Sequence, residues 1–80
     1  MRIDVDAEHD SAGELSPVRL GIGARTVAVL GILDRWPAPG HLYVKLAGAD
    51  GATYIVRHET ASGHWDLVMF DASQSPTRRA

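Results

Sequence analysis

Cysteine is absent from the 80 residues, so neither a disulfide framework nor a thiolate metal site can stabilise the chain. It also has no apolar stretch long enough to cross a bilayer as a helix. The opening MRIDVDAEHD is acidic where a secretory signal would be basic and then apolar. A cytoplasmic location without a membrane partner is the expectation. Strong charge of one sign is lacking as well, since the formal net charge is -2.

That small net charge hides an asymmetry. Residues 1–16 carry Asp4, Asp6, Glu8, Asp10 and Glu14 against Arg2, whereas 17–70 are near neutral. Non-specific nucleic-acid binding draws on many phosphate contacts and a clearly basic face, which this composition does not advertise. Eighty residues make one domain, and so short a chain buries only about 60% of the surface it exposes when unfolded. A partner surface is the first candidate for the missing stability.

The longest apolar run is Ala24 to Trp36, opened by Gly23-Ala24 and closed by Pro37-Ala38-Pro39-Gly40. Its β-branched content predicts one long, bent strand with Gly31 at the bend. Beyond Gly31, Leu30, Ile32 and Leu33 cannot share one face without a bulge. Upstream, Val18, Leu20 and Ile22 alternate with Arg19 and Gly21. A two-residue turn at Gly23-Ala24 then sets Leu20 opposite Val27 and Val18 opposite Val29.

The next hairpin has a sharper register. A two-residue turn at Asp50-Gly51 would set Val44 opposite Arg57. A three-residue loop with Gly51 in the left-handed conformation instead pairs Leu46 with Tyr54, Val44 with Val56 and Leu42 with His58. The same reasoning through ETASGH, residues 59–64, sets His58 opposite Trp65, Val56 opposite Leu67 and Tyr54 opposite Met69. One face becomes a core sealed at one end by Trp65. The other carries Tyr43, Arg57 and Asp66 in one row, Lys45, Ile55 and Val68 in the next, and Ala47, Thr53 and Phe70 in a third.

The expectation is a mainly β fold, a small antiparallel meander of about five strands in a half-open SH3-like barrel. Residues 17–70 form that barrel, 1–16 an acidic arm or edge strand plus a loop, and 71–80 a disordered tail. The outer face offers the contact site, an apolar patch of Ile55, Val68 and Phe70 rimmed by Tyr43, Lys45 and Arg57. A protein partner or a homodimer is expected on it.

Sites for chemistry are sparse. No serine or threonine stands against a histidine and a carboxylate in a nucleophile motif, and Gly21 and Gly23 do not complete a phosphate-binding loop. His58, on the core face, reads as a structural histidine. No catalytic residue and no cofactor are expected. One alternative is nucleic-acid binding by Arg19, Arg25, Arg35, Lys45 and Arg57, with Trp36 or Tyr43 stacking on bases. Another is a metal held by His41, Glu59 and His64, which share one row at the loop ends of neighbouring strands, although their spacing matches no zinc-ligand pattern.

Gly23-Ala24-Arg25-Thr26-Val27, Asp34-Arg35-Trp36, Tyr43-Val44-Lys45-Leu46, Asp50-Gly51 and Gly63-His64-Trp65-Asp66-Leu67 follow one another in order. That order resembles a group of short bacterial proteins of unknown function, over about Pro17 to Phe70. In the group an Asp-x-Trp closes a long strand and later hairpin strands end in a Trp-containing one. Some members are encoded near genes for DNA-repair polymerases, so the resemblance implies an accessory role. This sequence departs from the group in its shorter, Pro-rich link between Trp36 and Tyr43 and in fewer basic residues. The reading as a whole is a non-enzymatic interaction module.

Overall fold

The computed structural model describes residues 1–72. Six antiparallel strands follow in chain order, β1 (Arg2–His9), β2 (Leu15–Ile22), β3 (Arg25–Ala38), β4 (His41–Gly48), β5 (Thr53–Glu59) and β6 (Trp65–Asp71). Each pairs with the next, and β6 returns to β1, so the meander closes into a barrel. The small mainly β antiparallel barrel is as the sequence reads, with β1 as a sixth strand that closes it. The first strand is no free arm, because it pairs with β2 from Asp4 to His9 and with β6 through Arg2 and Ile3. The barrel therefore starts at Arg2 rather than at Pro17. The expected tail lies outside the described residues from 73 onward, and Asp71 belongs to β6.

Turn chemistry sets the registers. Gly23 has φ +62°, and among the described residues only glycines have positive φ, so Gly23-Ala24 is a two-residue turn with the glycine first. It pairs Ile22 with Arg25 and Leu20 with Val27. Gly51, at φ +88°, closes the three-residue loop that sets Leu46 opposite Tyr54, Val44 opposite Val56 and Leu42 opposite His58. Pro39-Gly40, with the glycine at φ +74°, turns β3 into β4.

Bulges shape the rest. On β3 the ladder to β4 skips Leu30 and Leu33, which stand exposed while Ile32 packs on the core, so the strand bends on both sides of Gly31. On β2 the ladder to β1 skips Val18, and Val29 pairs with Gly48. The expected Val18–Val29 pair is thereby corrected. The strand bends to follow β4 before that pair can form.

The core is Ile3, Leu20, Val27, Val44, Leu46, Ala52, Tyr54, Val56 and Trp65, and no polar or charged residue is buried among the described residues. Every strand contributes at least one of these, so closure of the barrel is what removes them from water. Each large side chain buried this way stabilises the fold by about 1.5–3 kcal/mol. At one end Tyr54 Oη donates to Asp50 Oδ2 at 2.5 Å and receives Arg25 Nη2 at 3.2 Å. Elsewhere on the wall the rings of His58 and Trp65 lie 4.5 Å apart.

Candidate functional site on the outer face

The outer face of β3–β6 follows from which residues the turns set opposite one another. One row runs Trp36, Tyr43, Arg57, Asp66 and on to Arg2. Side chains directly opposite in an antiparallel ladder share a face, so these five project together. The Trp36 and Tyr43 rings stack with centroids 5.6 Å apart and planes 9° from parallel. Arg57 donates to Asp66 Oδ2 at 3.3 Å. Its pKa is pushed up by Tyr43 first and then by Asp66.

The second row is Asp34, Lys45, Ile55 and Met69, and the third is Gly31, Ala47, Thr53 and Asp71. Lys45, Thr53, Ile55, Met69 and Asp71 line a cleft of about 390 Å³ across these two rows. Tyr43, Lys45, Ile55 and Arg57 thus stand together as the sequence placed them.

Phe70 does not join them. The β5–β6 ladder shifts between Ile55 and Val56, so Tyr54 faces Phe70 rather than Met69, and Ile55 faces Met69. Val68 is the extra residue of this bulge. Beyond it every side chain of β6 has changed face, which brings Met69 onto the outer surface and turns Phe70 toward Tyr54, with ring centroids 5.1 Å apart.

Two members of the surface escaped the sequence reading. The Trp36–Tyr43 stack was legible in Pro39-Gly40, because a two-residue turn there pairs 36 with 43 by counting outward. Met69 left no such signal, since the bulge exchanges one apolar residue for another.

The cations offered for nucleic acid are mostly neutralised within the fold. Arg19 bonds Asp6 at 2.5 and 2.8 Å, Arg25 bonds Asp50 at 3.4 Å, and Arg57 bonds Asp66. Arg35 pairs with Glu14, donates to Ser16 Oγ at 3.0 Å and lies 3.8 Å from Asp10. Lys45 forms no ion pair among the described residues.

His41, Glu59 and His64 are not gathered into one cluster. His41 Nε2 stands 3.9 Å from Glu59 Oε2, and the other Glu59 oxygen accepts the Ser62 hydroxyl at 2.5 Å. That hydrogen bond, more than His41, holds the Glu59 carboxyl below its usual pKa. Among the described residues no three His, Cys, Asp or Glu side chains are grouped to hold an ion.

No family model, curated protein or solved structure matches the chain.

Proposed function

We propose that the chain is a non-enzymatic protein-interaction module whose contact surface is the outer face of β3–β6. The observation that carries this reading is the union of a stacked aromatic pair, an anchored arginine and an adjoining cleft on one face. Trp36 and Tyr43 are stacked and Arg57 is paired with Asp66, so a partner orders few side chains on arrival. Tyr, Trp and Arg are the residue types that dominate protein contacts, through large rigid area combined with hydrogen-bonding groups. Ile55 and Met69 supply an apolar floor beside them. The small barrel is SH3-like in size and shape only, and that analogy carries no function.

The test is a pull-down from a lysate of the cells that encode the chain, with wild type and an Ile55→Glu, Arg57→Glu double variant as baits. A protein retained by wild type and lost by the folded double variant supports the reading. Identical sets on both baits overturn it.

A further inference from the structure

The β4–β5 loop joins an aspartate directly to a glycine, Asp50-Gly51, and both residues are exposed. In such a pair the side-chain carboxyl can be attacked by the next main-chain nitrogen, because glycine puts no side chain in the way. A Cβ on Gly51 would meet nothing within 4 Å among the described residues, so the neighbourhood adds no obstacle.

The reaction balances with water alone. The Gly51 nitrogen bonds to Asp50 Cγ and closes a cyclic imide, and the hydroxyl of the protonated carboxyl leaves with the amide proton as water. Water then opens the imide at one of its two carbonyls. Opening at Cγ restores aspartate. Opening at the main-chain carbonyl leaves isoaspartate, with the chain running on through Cβ and the carboxylate on Cα.

Each participant is withheld by a named contact. The Gly51 amide donates its proton to the Gly48 carbonyl at 3.1 Å. Asp50 Oδ1 accepts the Ala52 amide at 3.1 Å, and Oδ2 accepts Tyr54 Oη at 2.5 Å and Arg25 Nη1 at 3.4 Å. The Tyr54 bond is the largest cause that keeps the carboxyl below its usual pKa, and an ionised carboxylate has no hydroxyl to lose.

We infer that Asp50-Gly51 is a site of spontaneous isoaspartate formation, held shut in the folded chain by the Tyr54 phenol and the Arg25 guanidinium. Tyr54 is fully buried, so the restraint is anchored in the core while the pair it restrains faces water. Release of Tyr54 frees the carboxyl to turn toward Gly51. The isomer then lengthens the three-residue loop by one main-chain carbon and moves the carboxylate away from the phenol. That loop sets the register of β4 on β5, in which Tyr43 stands opposite Arg57 and Lys45 opposite Ile55. The modification therefore reaches the outer face through the ladder, whatever that face binds.

Incubation of the full chain in mildly acidic buffer tests it, with isoaspartate at position 50 read by fragmentation mass spectrometry because the isomers share one mass. A synthetic peptide of residues 46–55 serves as the unrestrained reference. The peptide is expected to convert about tenfold faster or more than wild type, and Tyr54→Phe about threefold faster or more. Ile3→Val loosens the core at the β1–β6 seam, away from the loop, and its rate stays near that of wild type. Equal rates in peptide and wild type overturn the inference, as does a Tyr54→Phe rate no higher than that of Ile3→Val. Should Tyr54→Phe not fold, Arg25→Gln takes its place, since Arg25 bonds both Asp50 and Tyr54, and the same comparison with Ile3→Val decides.

Discussion

Tyr54 and Asp50 are joined by a 2.5 Å hydrogen bond in which the fully buried phenol donates to the carboxylate four residues before it. The bond ties the β4–β5 loop to the barrel interior, and Arg25 secures it from the start of β3. It is the largest influence holding the Asp50 carboxyl below its usual pKa of 3.8, whereas burial and the same bond push the Tyr54 phenol up.

The sign for acid stability follows. A carboxylate with a lowered folded pKa contributes stability that is fully present above the unfolded value, 3.8, and lost as pH falls through the folded value. Tyr54→Phe is expected to cost about 1–3 kcal/mol at neutral pH, and the loss shrinks below pH 3.8. Urea unfolding of both proteins across that range measures it.

His58 gives a second pH dependence of its own. Burial against Trp65 lowers its pKa from 6.5, so between the folded and unfolded values the unfolded chain binds the extra proton. Stability therefore rises with pH as the solution approaches 6.5 from below and levels off above it. His58→Phe keeps a ring against Trp65 and removes this part of the slope. Thermal midpoints of the two proteins across mildly acidic to neutral pH provide the comparison.

Gly48 is required by packing. A Cβ there would lie 2.6 Å from Asp50 Oδ1, 2.8 Å from the Tyr54 ring and 3.0 Å from Val27 Cγ1. Gly48→Ala must displace the same Tyr54–Asp50 pair, and a cost of about 1–3 kcal/mol is expected in chemical unfolding.

Arg35 stands opposite the buried Val44, and its guanidinium reaches Glu14, Ser16 and Asp10 where β2 and the far half of β3 have separated. Arg35→Met keeps much of the stem and leaves Asp10 and Glu14 to repel each other. Asp10 also accepts the amides of Ala12 and Glu14, at 2.9 and 3.0 Å. Faster amide exchange at Ala12 and Glu14, with little change at Val44 and Val56, is the expected outcome.

Much of this architecture was legible because apolar residues choose their own partners. Leu46 with Tyr54, Val44 with Val56 and His58 with Trp65 each follow from requiring one apolar face and a turn that its glycine can make. The Val68 bulge was not legible. Val68, Met69 and Phe70 are all apolar, so the straight register and the bulged one match apolar to apolar equally well, and only barrel curvature separates them. The second pairing of β1 was hidden for another reason. Closure joins strands from opposite ends of the chain, and no local pattern at Arg2 or Ile3 reports Asp66 or Trp65 as neighbours. The candidate surface inherits both limits, with Met69 standing where Phe70 was expected and Trp36 added to the row of Tyr43 and Arg57.

The central claim is that the outer face around Tyr43 is where another protein binds, and site-specific photo-crosslinking in the source cells tests it most directly. A photoreactive residue is placed at Tyr43 in one chain and at Glu8, on the exposed β1 strand, in another. The account predicts a discrete adduct from position 43 that position 8 does not give. No adduct at 43, or the same adducts from both positions, would contradict it.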